Sequence, residues 1–106
     1  MLTETTLREA ALRVAAAAHQ PLKVIVFGSY ARGDATVESD LDLLVIEQEI
    51  PDYTQEYLRL HSALDHLGIG VDLLLLTAQE FEYKRDWWTT PLYWASREGR
   101  VLYEHA

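Results

Sequence analysis

The chain has 106 residues, about half of them apolar and a quarter charged, the make-up of one globular domain. It has no cysteine, so disulfide frameworks, thiolate zinc sites and thiol catalysis are excluded. Seventeen acidic residues against nine basic ones leave a net charge of −8, which argues against a binder of nucleic-acid backbones and favours a basic protein partner or a small metal-chelated nucleotide.

Taken in order, the amino terminus does not read as a signal peptide, because Glu4, Arg8, Glu9 and Arg13 interrupt its apolar residues. No apolar stretch approaches the roughly 20 residues that span a bilayer, so a cytoplasmic protein is expected. Thr6 to Glu9 reads as a capping box that opens a helix. Leu7, Ala11, Val14, Ala15 and Ala18 then lay one apolar stripe along it, and Gln20-Pro21 ends it. The β-branched and aromatic run from Lys23 to Phe27 is a predicted strand. Gly28 to Ser39 is a turn-rich connector in which Ser29 to Arg32 can form one helical turn.

Asp40 to Glu47 is the second predicted strand. Leu41, Leu43 and Val45 take one face, while Asp40, Asp42, Leu44 and Ile46 take the other. Pro51-Asp52 starts a helix with Tyr53, Tyr57, Leu60, Leu64 and Leu67 on its apolar side, closed by Gly68 and Gly70. Val71 to Leu76 is a third strand that again opens with an acid, Asp72, on the face of Leu74 and Leu76. Thr77 to Glu80 is a second capping box. Thr90-Pro91 reads as an N-cap followed by proline at the first helical position, with that helix ending at Gly99 and Val101 to Tyr103 strand-like. The expected architecture is one α+β (α/β) domain over residues 1–106, with three or four strands and about four helices.

The chemistry concentrates between Val24 and Ile46. Asp40 and Asp42 share a strand face, and a hairpin-like return brings Gly28-Ser29 beside them. Magnesium takes hard oxygen ligands, commonly one or two carboxylates plus substrate phosphates. A Gly-Ser turn offers amides and a hydroxyl to a phosphate. Phosphoryl or nucleotidyl transfer assisted by magnesium is therefore the expected chemistry, in which a pair of metal ions stabilises the attacking and leaving oxygens. An isolated Asp-x-Asp is more often a solvated strand start; its spacing from Gly28-Ser29 is what favours a site.

Together these residues give Gly-Ser-x10-Asp-x-Asp within GSYARGDATVESDLDLLV. The pattern resembles the DNA polymerase β-like nucleotidyltransferases, in particular the minimal nucleotidyltransferases of bacteria and archaea, and the resemblance extends to the closing REGRVLYE segment. It implies a mixed sheet of three to four strands with about four helices. It also implies that Gly28 and Ser29 bind the nucleoside triphosphate, with Arg32 and Gly33 in the same loop. Asp40, Asp42 and Asp72 would hold two Mg²⁺ ions, Asp72 also helping to deprotonate the acceptor hydroxyl. The implied reaction moves a nucleoside monophosphate, AMP from ATP, onto a hydroxyl. The implied acceptor is a tyrosine of a helical HEPN-type toxin, with this chain as antitoxin.

Two other readings stand beside it: a nucleotide-binding module that neutralises a partner by occlusion, and a small-molecule nucleotidyltransferase of the antibiotic-modifying kind. His19, His61, His66 and His105 are dispersed and predict no metal site. Arg32 either faces phosphate or pairs with Asp34 or Glu38. Tyr83, Trp87, Trp88, Tyr93 and Trp94 divide between core and exposed surface, part of it a candidate interface.

Overall fold

The computed structural model describes residues 1–105. The chain runs α1 (Glu4–Ala17), β1 (Pro21–Phe27), α2 (Ser29–Arg32), β2 (Leu41–Glu47), α3 (Tyr53–Ser62), β3 (Val71–Thr77), α4 (Ala78–Lys84), α5 (Pro91–Glu98) and β4 (Arg100–Glu104), with a single 3-10 turn at Asp65–Leu67. The strands form one mixed sheet in the order β3-β2-β1-β4. β1 pairs antiparallel with β2 and β4, and β2 pairs parallel with β3. The fold class is the expected one, with the fourth strand present and α2 raising the count to five α-helices among the described residues.

Both sheet faces are covered, which explains why β2 is apolar almost throughout. Leu41, Leu43, Val45, Val24, Val26, Leu73 and Leu75 pack with Leu7, Ala10, Ala11 and Val14 of α1, Leu60 of α3 and Leu64 just beyond it. The opposite face, with Ile25, Leu44 and Ile46, packs against Leu92 and Ala95 of α5 and Ala78 and Phe81 of α4. Asp42 and Asp72 alternate onto this second face, at the end of the strands that the helices leave open.

Several helix boundaries differ from expectation. The N-cap of α1 is Thr3, whose hydroxyl accepts from the Thr6 amide at 3.1 Å, so Thr6 lies inside the first turn and the Thr6–Glu9 box does not form. A threonine three residues ahead competes for the cap, and Glu4 then sits in the first turn, where negative charge suits the helix dipole. The stripe of α3 is mixed. Leu60 and Leu64 are buried, Tyr53 is half exposed, Leu67 lies in the 3-10 turn, and Glu56 is buried instead. The Thr77–Glu80 capping box forms in both directions. Thr90 begins α5 at the expected place, but its hydroxyl donates to the Trp87 carbonyl at 2.8 Å rather than capping the helix.

Two buried glutamates hold the turn between α1 and β1. Glu56 accepts the His19 amide at 2.8 Å and pairs with Arg59, while Glu47 accepts the Gln20 amide at 2.8 Å. Its other oxygen, Oε2, is buried without a hydrogen-bond partner. Burial pushes the Glu47 carboxyl above its ordinary range, opposed by the Gln20 and His19 amides and by Arg59. The folded chain therefore holds this proton more tightly than the unfolded one. Glu47 favours folding most at pH values below its unfolded pKa and progressively less as pH rises through its folded value. Glu47→Gln is expected to lose less stability than the parent protein on going from about pH 4 to pH 7. Urea melts of the two proteins at both pH values check this, and parallel behaviour would show that the carboxyl is not destabilising.

Candidate active site

Three acids come to one end of the sheet by two different routes. Asp42 is the second residue of β2, and the antiparallel register places it opposite Phe27, one residue before Gly28. The parallel register pairs the same Asp42 with Asp72 of β3. Asp42 thus stands between the glycine-serine bend and the third acid. Asp40 lies one residue ahead of β2, with its carboxylate against the Cα of Gly70; a Cβ at Gly70 would run into Asp40 Oδ1. The ladder begins immediately afterwards, where the Leu41 amide donates to the Gly70 carbonyl at 2.9 Å.

The bend itself is built around Gly28, which has φ +69° and ψ −149°, a combination open essentially to glycine alone. The carboxylate of Asp42 occupies the space where a Cβ on Gly28 would sit. Ser29 opens α2, and Gly33 closes it in the left-handed conformation with its amide donating to the Ser29 carbonyl. The first amides of α2 have no partner within the helix and are available to an anion. Arg32 pairs with Asp34 at 3.3 Å and with Glu98 of α5 at 3.7 Å, so Glu98 takes the place anticipated for Glu38.

Negative charge is in excess here. The Asp42 carboxyl is pushed up to about 6, first by burial, then by the adjacent Asp72 and by Asp40, with Arg32 acting weakly in the other direction. A divalent cation would relieve this repulsion, and three hard oxygen donors suit Mg²⁺. The donor chemistry fits. Among the described residues no three acids or histidines gather closely enough to hold one ion by themselves, and Mg²⁺ commonly takes one or two carboxylates and completes its coordination with substrate phosphates and water.

The site opens into a cavity of about 580 Å³ lined by Gly28, Arg32 and Asp42 on one side and by Trp88, Thr89, Thr90, Pro91, Trp94 and Glu98 on the other. Sequence reasoning missed this second wall. Trp88 and Trp94 carry no local signal tying them to Gly28, which lies some sixty residues earlier. The available hint was their setting: tryptophans flanking a Thr-Thr-Pro cap beside Lys84-Arg85-Asp86, too polar a stretch to bury both rings.

The family model "Nucleotidyltransferase domain" matches residues 7–93. The chain belongs to this family. The matched span of this nucleotidyltransferase domain contains all three acids and the glycine-serine bend. Two relatives from Methanocaldococcus jannaschii, both named "putative protein adenylyltransferase", are 42% identical over 60 residues (57% of this chain, 61% of theirs) and 36% identical over 81 residues (76% of this chain, 77% of theirs). Protein adenylyltransferase MntA of Thermococcus cleftensis is 45% identical over 51 residues, 47% of this chain and 50% of its own. The nucleotidyltransferase domain thus spans between half and three-quarters of the length of these curated relatives.

Among solved structures, one called "putative minimal nucleotidyltransferase" superposes with a TM-score of 0.61 at 32% identity, covering 91% of this chain and 89% of that one. A toxin–antitoxin structure with AMP-PNP shares the fold at TM-score 0.69 and 16% identity, covering 92% of this chain and 73% of that one. So does the Shewanella oneidensis structure of a tri-AMPylated HEPN toxin in complex with MNT antitoxin, at TM-score 0.64 and 13% identity, covering 97% and 74%.

Proposed function

We propose that this domain is a magnesium-dependent nucleotidyltransferase that moves AMP from ATP to a hydroxyl of a protein partner, a tyrosine of a HEPN-type helical toxin, and so acts as its antitoxin in the cytoplasm. The observation that carries the proposal is the position of Asp42, in register with Asp72 and in contact with the Gly28 bend. The relatives named as protein adenylyltransferases and the toxin–antitoxin structures of the same fold support the reaction type and the kind of partner. The net charge of −8 favours a basic protein partner over nucleic acid.

In this reading the amides of Gly28 and Ser29 and the guanidinium of Arg32 bind the triphosphate, and Gly33 lets the loop turn away from it. Asp40, Asp42 and Asp72 hold two Mg²⁺ ions, which supply charge stabilisation to the attacking and leaving oxygens. Asp72, exposed on the edge strand β3, takes the proton of the acceptor hydroxyl. That oxygen bonds to the α-phosphorus, the bond from the α-phosphorus to the bridging oxygen breaks, and pyrophosphate leaves.

The test is incubation with ATP labelled at the α-phosphate, Mg²⁺ and the helical protein encoded beside it. Label is expected on a partner tyrosine and absent with the Asp40→Ala, Asp42→Ala double variant. Transfer that survives the double variant overturns the mechanism. If that variant still neutralises a co-expressed toxin, neutralisation is by occlusion rather than modification.

A further inference from the structure

The second wall of the cavity has features that folding does not require. Trp88 is 71% exposed and Trp94 is 53% exposed, yet both line the cavity that Gly28, Arg32 and Asp42 enter from the opposite side. Large exposed aromatic rings are costly to hold in water, and such rings beside polar groups in a concave site mark ligand contact.

The segment carrying them is firmly braced. The amides of Trp87 and Thr90 donate to the carbonyls of Lys84 and Trp87 at 3.0 and 2.9 Å, and the Thr90 hydroxyl donates to the Trp87 carbonyl. Arg97 pairs with Asp86 at 3.0 Å and lies 3.8 Å over the centre of the Tyr93 ring, which packs edge-on against Trp94. The turn and the start of α5 therefore present Trp88 and Trp94 rather than bury them.

The location of this wall decides what it meets. Asp72, on β3, lies on the far side of Asp42 and does not line the cavity, whereas Gly28 and Arg32 do. The cavity is on the triphosphate side of the acids, away from the side where an acceptor would approach Asp72. A nucleoside triphosphate anchored by its phosphates at Gly28 and Arg32 has one flat apolar part left to place, its base. We infer that Trp88 and Trp94 form the platform for the nucleobase, so that affinity for nucleotide over bare triphosphate resides in the turn after α4 and the first half of α5. This rests on the nucleotide-binding reading above.

The test compares two probes, each with Mg²⁺, by isothermal titration calorimetry on the whole chain: α,β-methylene-ATP and inorganic tripolyphosphate. The nucleotide is expected to bind more tightly than tripolyphosphate. Trp88→Ala and Trp94→Ala are each expected to weaken nucleotide binding about tenfold, the scale of a lost base–aromatic stack, while leaving tripolyphosphate binding unchanged. Trp88→Phe and Trp94→Phe are expected to restore most of it. Unchanged tripolyphosphate binding shows that the alanine variants are folded. Equal binding of the two probes, or alanine variants with parental nucleotide affinity, overturns the platform and leaves the triphosphate site standing. If neither probe binds the parent protein, the platform and the nucleotide reading both fall.

Discussion

Asp42→Asn is expected to lose about a thousandfold in AMP transfer while melting at a higher temperature than the parent protein. The activity loss follows from removing the carboxylate that faces both Gly28 and Asp72; metal stabilisation of transition-state charge is worth several kcal/mol, and each 1.36 kcal/mol is a factor of ten in rate. The stability gain follows from the raised pKa. Burial, Asp72 and Asp40 push the Asp42 carboxyl from 3.8 to about 6, so at neutral pH the folded chain carries a charge it holds unfavourably. A carboxyl with a raised pKa contributes to folding below its unfolded value and loses that contribution as pH rises through about 6. Asparagine keeps the shape and removes the charge, and the gain at pH 7 is about 1 kcal/mol after allowing for solvent screening. Radiolabel transfer and thermal melts without added metal check the two halves separately. Activity within tenfold of the parent would place the essential acid elsewhere, and a lower melting temperature would mean that Asp42 is not under repulsion.

Gly28→Ala is expected to damage both folding and turnover. The backbone at Gly28 lies at φ +69° and ψ −149°, where an alanine is strained by about 1–3 kcal/mol. The added methyl would also collide with Oδ2 of Asp42, so relief requires the acid to leave its place. A loss of about 2–4 kcal/mol in stability, together with at least about a hundredfold in activity from the displaced carboxylate, is expected. Gly68→Ala is the control. Gly68 also has positive φ, +68°, but a Cβ there meets nothing within 4 Å. That variant is expected to lose about 1 kcal/mol in stability and to keep its activity. Equal activity losses in the two variants would show that backbone strain, not the contact with Asp42, is responsible.

How far the residues disclosed this site depends on the range of the interaction involved. The alternation of β2 and β3 was legible because side chains on a strand alternate whatever lies around them, and it correctly put Asp42 and Asp72 on the faces of Leu44 and Leu74. The bend at Gly28-Ser29 and the helical turn after it were legible for the same local reason. Asp40 was grouped with Asp42 by that alternation, but it lies outside the strand, where no ladder holds its side chain, and it sits against Gly70. The N-cap of α1 was misplaced by three residues because Thr3 and Thr6 both satisfy the local chemistry. Glu56 and Glu47 gave no sign of burial, since their partners are amides of a turn distant in sequence.

The chain on its own determined its apolar faces, its strands and most of its helices, the period-two placement of its acids and the glycine-serine bend, because each of these follows from backbone geometry over a few residues. Only the tertiary structure decided that β2 and β3 run parallel with Asp42 level with Asp72, that Glu98 reaches Arg32, and that Trp88 and Trp94 face Gly28 across a cavity. Those facts depend on strand register and on helices docking over a sheet, contacts between segments far apart in sequence whose energies no local pattern encodes.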